Sequence, residues 1–185
     1  MQGPFFMSDI FLLLAIQFLL ILSIKVQIFE VLRKHVPPDS VQYCWDLWQE
    51  DPFHFLLARS RSSKLGDFRY RMDREFQQIT INHDLNRYQF LITYIHEVAH
   101  YRAFKTYGLK IRPHGLEWKR TFRELMAPML SDIIFPKDIL LPLKRHMCNP
   151  KASTGADLFL AREVGKYDNQ KNGIKTIYLC DIKQG

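Results

Sequence analysis

Cysteine is scarce in this sequence, and the three cysteines lie far apart: Cys44, Cys148 and Cys180. None belongs to a C-x-x-C pair. This spacing argues against a zinc ribbon, and it argues equally against a disulfide framework. The composition therefore suits a reducing compartment, and each cysteine is expected to be a small apolar side chain rather than a metal ligand.

Acidic residues are also in deficit. The chain of 185 residues has 26 Lys and Arg but only 19 Asp and Glu, which gives a formal net charge of +7. Such a surplus favours an acidic partner, either nucleic acid or a membrane surface, although a soluble basic protein has the same composition. The length predicts one domain with at most a small appendage, and the hydrophobic content of 47% is enough for a core.

Long apolar runs are absent except near the start, where "IFLLLAIQFLLILSI" covers residues 10–24. The run lacks the basic n-region and the small-residue cleavage site of a secretory signal, so export is not expected. It is short for a membrane span, but extension towards Phe5 or Phe29 brings it near the required length. If it inserts, three basic residues on its C-terminal side would hold the rest of the chain in the cytoplasm: Lys25, Arg33 and Lys34. The alternative is an upstream extension, or a hydrophobic helix packed on the domain.

From Val26 onward the sequence is typical of an α+β domain. Three segments alternate or run apolar as strands do, and they precede the most informative helix: residues 53–58, 68–72 and 78–82. That helix is predicted to begin at an Asn86 cap and to end at Gly108. The pattern predicts a small antiparallel or mixed sheet packed on this helix. A later helix is expected to bury four residues at helical spacing: Trp118, Phe122, Leu125 and Met126.

The stretch "YIHEVAHYRAF" on the predicted helix carries the candidate chemistry. Residues four apart share one helix face, so His96 and His100 can direct both imidazoles at a single ion. Zinc hydrolysis needs a third protein ligand, an open position for water and a base, and Glu97 suits the base. His114 is the leading candidate for the third ligand, because it follows the helix end at Gly108 and could fold back over the same face. The competing interpretation is a chance grouping of polar residues.

Four stretches together resemble the SprT-like family, the zinc metalloprotease domain also found in the Spartan DNA–protein crosslink proteases: "LGDFRY", "ITINHDLNRYQFLITYIHEVAHYRAFKTYG", "PHGLEWKRTFRELM" and "NPKAST". H-E-x-x-H with a distant H-G-x-x-W is that family's arrangement. The resemblance implies a zincin-like fold, Zn²⁺ held by His96, His100 and His114, and a catalytic Glu97. It also implies a cytosolic setting and proteolysis of DNA-associated proteins, whereas bacterial members are described as regulators of transcription elongation.

The resemblance also divides the chain into parts. Residues 1–25 are interpreted as a hydrophobic N-terminal extension or membrane anchor, and residues 26–148 as the SprT-like zinc metalloprotease domain. Residues 149–185 form a C-terminal extension that is expected to be truncated relative to the family. The expected location is cytoplasmic, and the alternative is an inner-membrane anchor with the catalytic domain in the cytoplasm.

Basic residues in the polar loop "RSRSSKLG" are the candidate nucleic-acid contacts: Arg59, Arg61 and Lys64. Phosphate binding is largely electrostatic, so such a patch suffices for weak, salt-sensitive attachment, and a solvated basic surface is the competing interpretation. The sequence thus predicts a zinc-dependent endopeptidase that cleaves proteins, including DNA-associated ones. The alternative is a non-catalytic zinc-containing DNA-binding or transcription-elongation regulatory protein. Tyr101 and Arg112 are candidates, by proximity alone, for stabilising the oxyanion.

Overall fold

The computed structural model describes residues 5–152 and 154–168. Its described part contains one three-stranded sheet, three short 3-10 turns and six α-helices. In chain order the helices and strands are α1 (Phe5–His35), α2 (Val41–Glu50), β1 (His54–Ala58), β2 (Gly66–Arg69), β3 (Gln78–Asn82), α3 (Arg87–Tyr107), α4 (Leu116–Met126), α5 (Lys137–Cys148) and α6 (Leu158–Gly165). The predicted α+β class with a small mixed sheet is confirmed.

The sheet has the strand order β1-β3-β2. β1 runs parallel to β3, with His54 opposite Gln78, and β2 runs antiparallel to β3, with Gly66 opposite Ile81. The second strand was predicted at residues 68–72 but lies at Gly66–Arg69. The chain leaves the ladder early because the Arg71 backbone N–H donates to Oε1 of Gln77 at 2.7 Å instead of to a neighbouring strand. β2 is consequently a short strand at the edge of the sheet.

α3 is the central helix of the structure. Its predicted start is confirmed, because the Asn86 side chain accepts hydrogen bonds from the backbone N–H groups of Tyr88 and Gln89 at 3.1 and 3.0 Å. Its predicted end is confirmed at Gly108, whose φ of 77° glycine adopts without strain. α3 packs against α4 and also against β2 and β3. The same helix therefore contacts both the sheet and the second half of the domain.

The core is rich in aromatic side chains. Tyr94, Phe90 and Phe135 are fully buried, and the four residues predicted as the inner face of α4 are buried as well: Trp118, Phe122, Leu125 and Met126. α6 contributes Leu160 and Val164 to the same core. The limits that the sequence suggests for the three parts of the chain stay predictions, and Cys180 lies outside the described residues.

α1 lies in two different environments. Its last turns carry Ile28 and Leu32 into the core, followed by Val36 just beyond the helix. Between Ile10 and Val26 no other part of the described chain covers the helix, and its large apolar side chains are exposed. By length and composition, Ile10–His35 is long and apolar enough to cross a membrane. The boundary drawn at residue 25 lies within this unbroken helix.

Candidate metal and catalytic site

The two histidines of α3 lie one turn apart on the same face of the helix. Their Nε2 atoms are 3.2 Å apart, as the spacing of four residues requires for side chains that converge on one point. Burial lowers the pKa of His96 well below the ordinary value for histidine. Burial also lowers the pKa of His100 to about 3, with a further contribution from His114. Both imidazoles are therefore neutral at physiological pH, which is the form that binds metals.

His114 completes a triangle with this pair. Its Nε2 lies 2.9 Å from Nε2 of His100 and 3.2 Å from Nε2 of His96. Its φ of 58° makes it the one non-glycine residue with positive φ in the described ranges. This backbone conformation is strained for an L-residue, and such strain is concentrated at functional sites. The turn at His114 brings its ring back over α3 after the chain has left the helix at Gly108.

The dimensions and chemistry of this triangle fit a zinc ion. With Zn–N bonds of about 2.0–2.1 Å, two ligand nitrogens of a tetrahedral site lie about 3.3 Å apart. The observed separations of 2.9–3.2 Å are slightly shorter than that. Within the described part of the chain, these three histidines are the one cluster of His, Cys, Asp and Glu side chains close enough to share an ion. Three nitrogen donors leave a fourth position open, which is the arrangement of catalytic rather than structural zinc sites.

Trp118 supports all three rings from α4. Its ring centroid lies 4.6 Å from that of His96, 5.1 Å from that of His100 and 4.6 Å from that of His114. Phe122 stacks on Trp118 with ring centroids 4.9 Å apart, and its ring centroid lies 5.5 Å from that of His96. The sequence predicted Trp118 only as a core residue. Its position four residues after His114 at the start of an amphipathic helix was the available signal for a supporting role.

Glu97 lies beside the triangle in a cavity of about 490 Å³. The cavity is lined by the three histidines together with the segment Ser63–Phe68, Ile92, Thr93, Pro113 and Ala152. Burial, with a smaller contribution from the nearby charge of Asp67, raises the pKa of Glu97 to about 8, whereas a hydrogen bond from the Phe68 backbone N–H opposes the shift. The structure thus brings a carboxylate and three imidazoles together in one cavity.

Gly66 is in direct contact with this carboxylate. A Cβ atom at this position would lie 2.9 Å from Oε1 and Cγ of Glu97 and 2.7 Å from Cγ2 of Thr93. These separations are too short for any residue other than glycine unless the side chains of Thr93 and Glu97, or the elements that carry them, move. Close packing of a neighbouring element is a recurrent reason for glycine within a strand.

The other candidate residues from the sequence lie elsewhere. The Tyr101 hydroxyl donates to the Pro52 carbonyl at 3.3 Å, and neither Tyr101 nor Arg112 lines the cavity. Arg61 and Lys64 form ion pairs with Asp67, so two of the three loop cations have an internal partner. Arg59 is exposed. The structure does not test whether these cations bind nucleic acid.

The fold and the site define an α+β protein with a candidate three-histidine metal centre beside a buried glutamate. Residues 46–137 match the sequence model of the SprT-like family, which is of metalloprotease type. This part of the chain therefore belongs to the SprT-like family, as the resemblance predicted. A search of curated proteins and a search of solved structures found no match.

Substitution Gly66→Ala tests the contact between β2 and α3. We expect a loss of about 1–3 kcal/mol in the free energy of unfolding, because the added methyl group overpacks a close contact. The measurement is urea unfolding followed by circular dichroism. Thr93→Ser removes the nearest atom, Cγ2, and should restore part of the stability in the double variant. A Gly66→Ala protein as stable as the wild type would show that the two elements do not touch.

Proposed function

We propose that this protein is a zinc-dependent metallopeptidase with a zincin-like arrangement of helix, sheet and metal site. The observation that carries the proposal is the triangle of Nε2 atoms with Glu97 beside it in one cavity. Zn²⁺ would be held by His96, His100 and His114. When bound, it would polarise a carbonyl and lower the pKa of water.

Glu97 would act as general base and then as general acid. Burial favours the protonated form of Glu97, whereas the positive charge of a metal held by the three histidines would favour the ionised form. The carboxylate would then accept the proton that attacking water loses and pass it to the nitrogen of the leaving amine, so that the peptide bond is replaced by a carboxylate and an amine. The hydrogen bond from the Phe68 N–H and the contact with Gly66 restrict where the carboxylate can lie. Burial excludes bulk water from the position at which the proton is transferred.

The substrate would be a polypeptide in extended form. β2 pairs with β3 on one side only and lies at the edge of the sheet, and its residues Gly66–Phe68 line the cavity beside Glu97. An extended peptide can add to such an edge through main-chain hydrogen bonds, which recognise the backbone whatever the side chains. This geometry favours cleavage of unfolded or loosely folded protein segments.

Two substitutions separate the peptidase from the non-catalytic zinc protein. Glu97→Gln should retain one zinc per chain and lower cleavage of casein by about 10²-fold or more, because the amide cannot accept the proton. His114→Ala should lose zinc and activity together, because only two ligands remain. Zinc is measured by atomic emission on the purified protein. Undiminished cleavage by Glu97→Gln would favour the non-catalytic alternative and attribute the activity to a contaminant, and full zinc affinity in His114→Ala would disprove the ligand set.

The family resemblance suggests DNA-associated proteins as substrates, and we propose that the loop before β2 contacts the DNA. Among the cations of this loop, Arg59 is the best placed to contact a phosphate. It is exposed, whereas Arg61 and Lys64 pair with Asp67. A plot of log affinity for duplex DNA against log salt concentration should have a slope that is shallower by about 0.9 in Arg59→Gln, which is the value for one phosphate contact. Replacing all three cations should reduce it by up to about three if each contacts a phosphate. Binding is measured from low to physiological salt, and an unchanged slope in both variants would exclude this loop as a DNA contact.

We propose that the exposed part of α1 lies in a lipid bilayer, with the domain in the cytoplasm. The segment between Ile10 and Ile24 carries large apolar side chains around the helix and is uncovered by the described chain, which is typical of a membrane helix. Extension of the helix towards Phe5 brings the apolar segment within the range of about 17–25 residues for a span. Lys25, Arg33 and Lys34 follow on the domain side, where basic residues mark the cytoplasmic face.

Charged residues within α1 test this location. The wild type should sediment with membranes and resist alkaline carbonate, whereas Leu14→Lys with Leu19→Lys should move to the soluble fraction, because each lysine costs about 2.5–3.5 kcal/mol at the centre of a span. Leu141→Lys is the matched control, since Leu141 is an exposed leucine on α5. A wild-type protein recovered as a soluble oligomer would show that copies of the chain, rather than lipid, cover α1.

A further inference from the structure

A buried asparagine joins the end of β3 to the loop that precedes β2. Asn82 is 1% exposed, and its Nδ2 donates to the carbonyl oxygens of Arg61 at 3.1 Å and Lys64 at 3.0 Å. Its backbone N–H donates to the Leu65 carbonyl at 2.8 Å. In return, Oδ1 of Asn82 accepts from Nε of Arg61 at 2.8 Å. One side chain therefore fixes both the backbone of the loop and the direction of the Arg61 guanidinium.

Arg61 extends this connection to β2. Its NH1 group donates to Oδ1 of Asp67, whose side chain is only 12% exposed. The other carboxylate oxygen of Asp67 accepts from Nε of Arg69 at 2.6 Å. The three residues Asn82, Arg61 and Asp67 form a continuous polar chain, which we call the loop clamp. An isolated surface ion pair contributes little, but this pair is partly buried and anchored by Asn82.

The loop clamp ends beside the catalytic carboxylate. The residue before Asp67 is Gly66, which touches Oε1 and Cγ of Glu97, and the residue after it is Phe68, whose N–H donates to the same carboxylate. β2 is an edge strand held by β3 on one side only. The clamp is thus the additional connection that fixes the strand where it meets Glu97.

We propose that Arg61 and Asn82 are positioning residues, which hold β2 so that Gly66 and Phe68 aim the Glu97 carboxylate at the three histidines. The inference rests on the proposed peptidase function. In this proposal the Arg61 guanidinium binds Asp67 and Asn82 within the protein instead of a DNA phosphate. Displacement of a catalytic group by about 1 Å can cost about 10²-fold in rate, so a small shift of β2 is enough to lower turnover.

The kinetic test uses the full-length, zinc-loaded protein and an unstructured peptide substrate without DNA. Arg61→Gln and Asn82→Asp should lower kcat by about 10-fold to 10²-fold with KM changed less than about threefold, because alignment rather than substrate binding is lost. Asn82→Asp keeps the acceptor for Arg61 and removes the two Nδ2 donors. Arg71→Gln is the matched control, since it breaks an Arg–Asp pair with Asp73 on the exposed surface. Zinc content should stay at one per chain in all three variants.

Hydrogen exchange provides a readout that does not depend on activity. The Phe68 amide should exchange faster in Arg61→Gln and Asn82→Asp than in the wild type or Arg71→Gln, because its bond to Glu97 opens more often. If the wild type has no peptidase activity, the proposed function fails, and exchange alone decides whether the clamp holds β2. Wild-type kcat and wild-type exchange in Arg61→Gln would overturn the inference. Should Asn82→Asp fail to fold, Arg61→Gln decides.

Discussion

The convergence of three half-buried imidazole rings on one point is the constraint on which the rest of the structure depends. Burial lowers the pKa of all three histidines, which favours the neutral, metal-binding form where their Nε2 atoms meet. The positive φ of His114 costs about 1–3 kcal/mol, and metal binding can offset a strain of this size many times over. Trp118 packs against all three histidine rings with centroid distances of 4.6–5.1 Å, which makes α4 part of the site rather than of the core alone.

The local part of this site could be predicted from the sequence, and the non-local part could not. His96 and His100 share a face because of helix periodicity, and the ends of α3 follow from the chemistry of Asn86 and Gly108. The approach of His114 depends on a backbone conformation that no residue preference indicates. His114 was predicted as the third ligand from its position after the end of α3 and from the family resemblance. Neither observation predicts the backbone turn at His114.

The charged residues of the loop before β2 also have partners that the sequence alone does not reveal. From composition alone, Arg61 and Lys64 are expected to face solvent. In the structure both pair with Asp67, whose position depends on how β2 aligns with β3, and composition does not reveal this alignment. The second strand begins at Gly66 rather than at residue 68. Asp67 therefore lies within the strand, between the two residues that contact Glu97. Two cations that the sequence offers as phosphate contacts pair, in the fold, with Asp67, whose two neighbours in the chain contact Glu97.

α1 links the proposed location of the protein to its proposed substrate. Ile28 and Leu32 are anchored in the core, while the preceding turns of the same helix are bare apolar surface. The sequence marked residues 10–24 only as an apolar run, whereas the structure makes this run continuous with the turns that carry Ile28 and Leu32. A bilayer around the first half would keep the domain near its surface, because an unbroken helix gives less freedom than a flexible linker. An edge strand that accepts extended peptides would then meet chiefly unfolded segments close to the membrane.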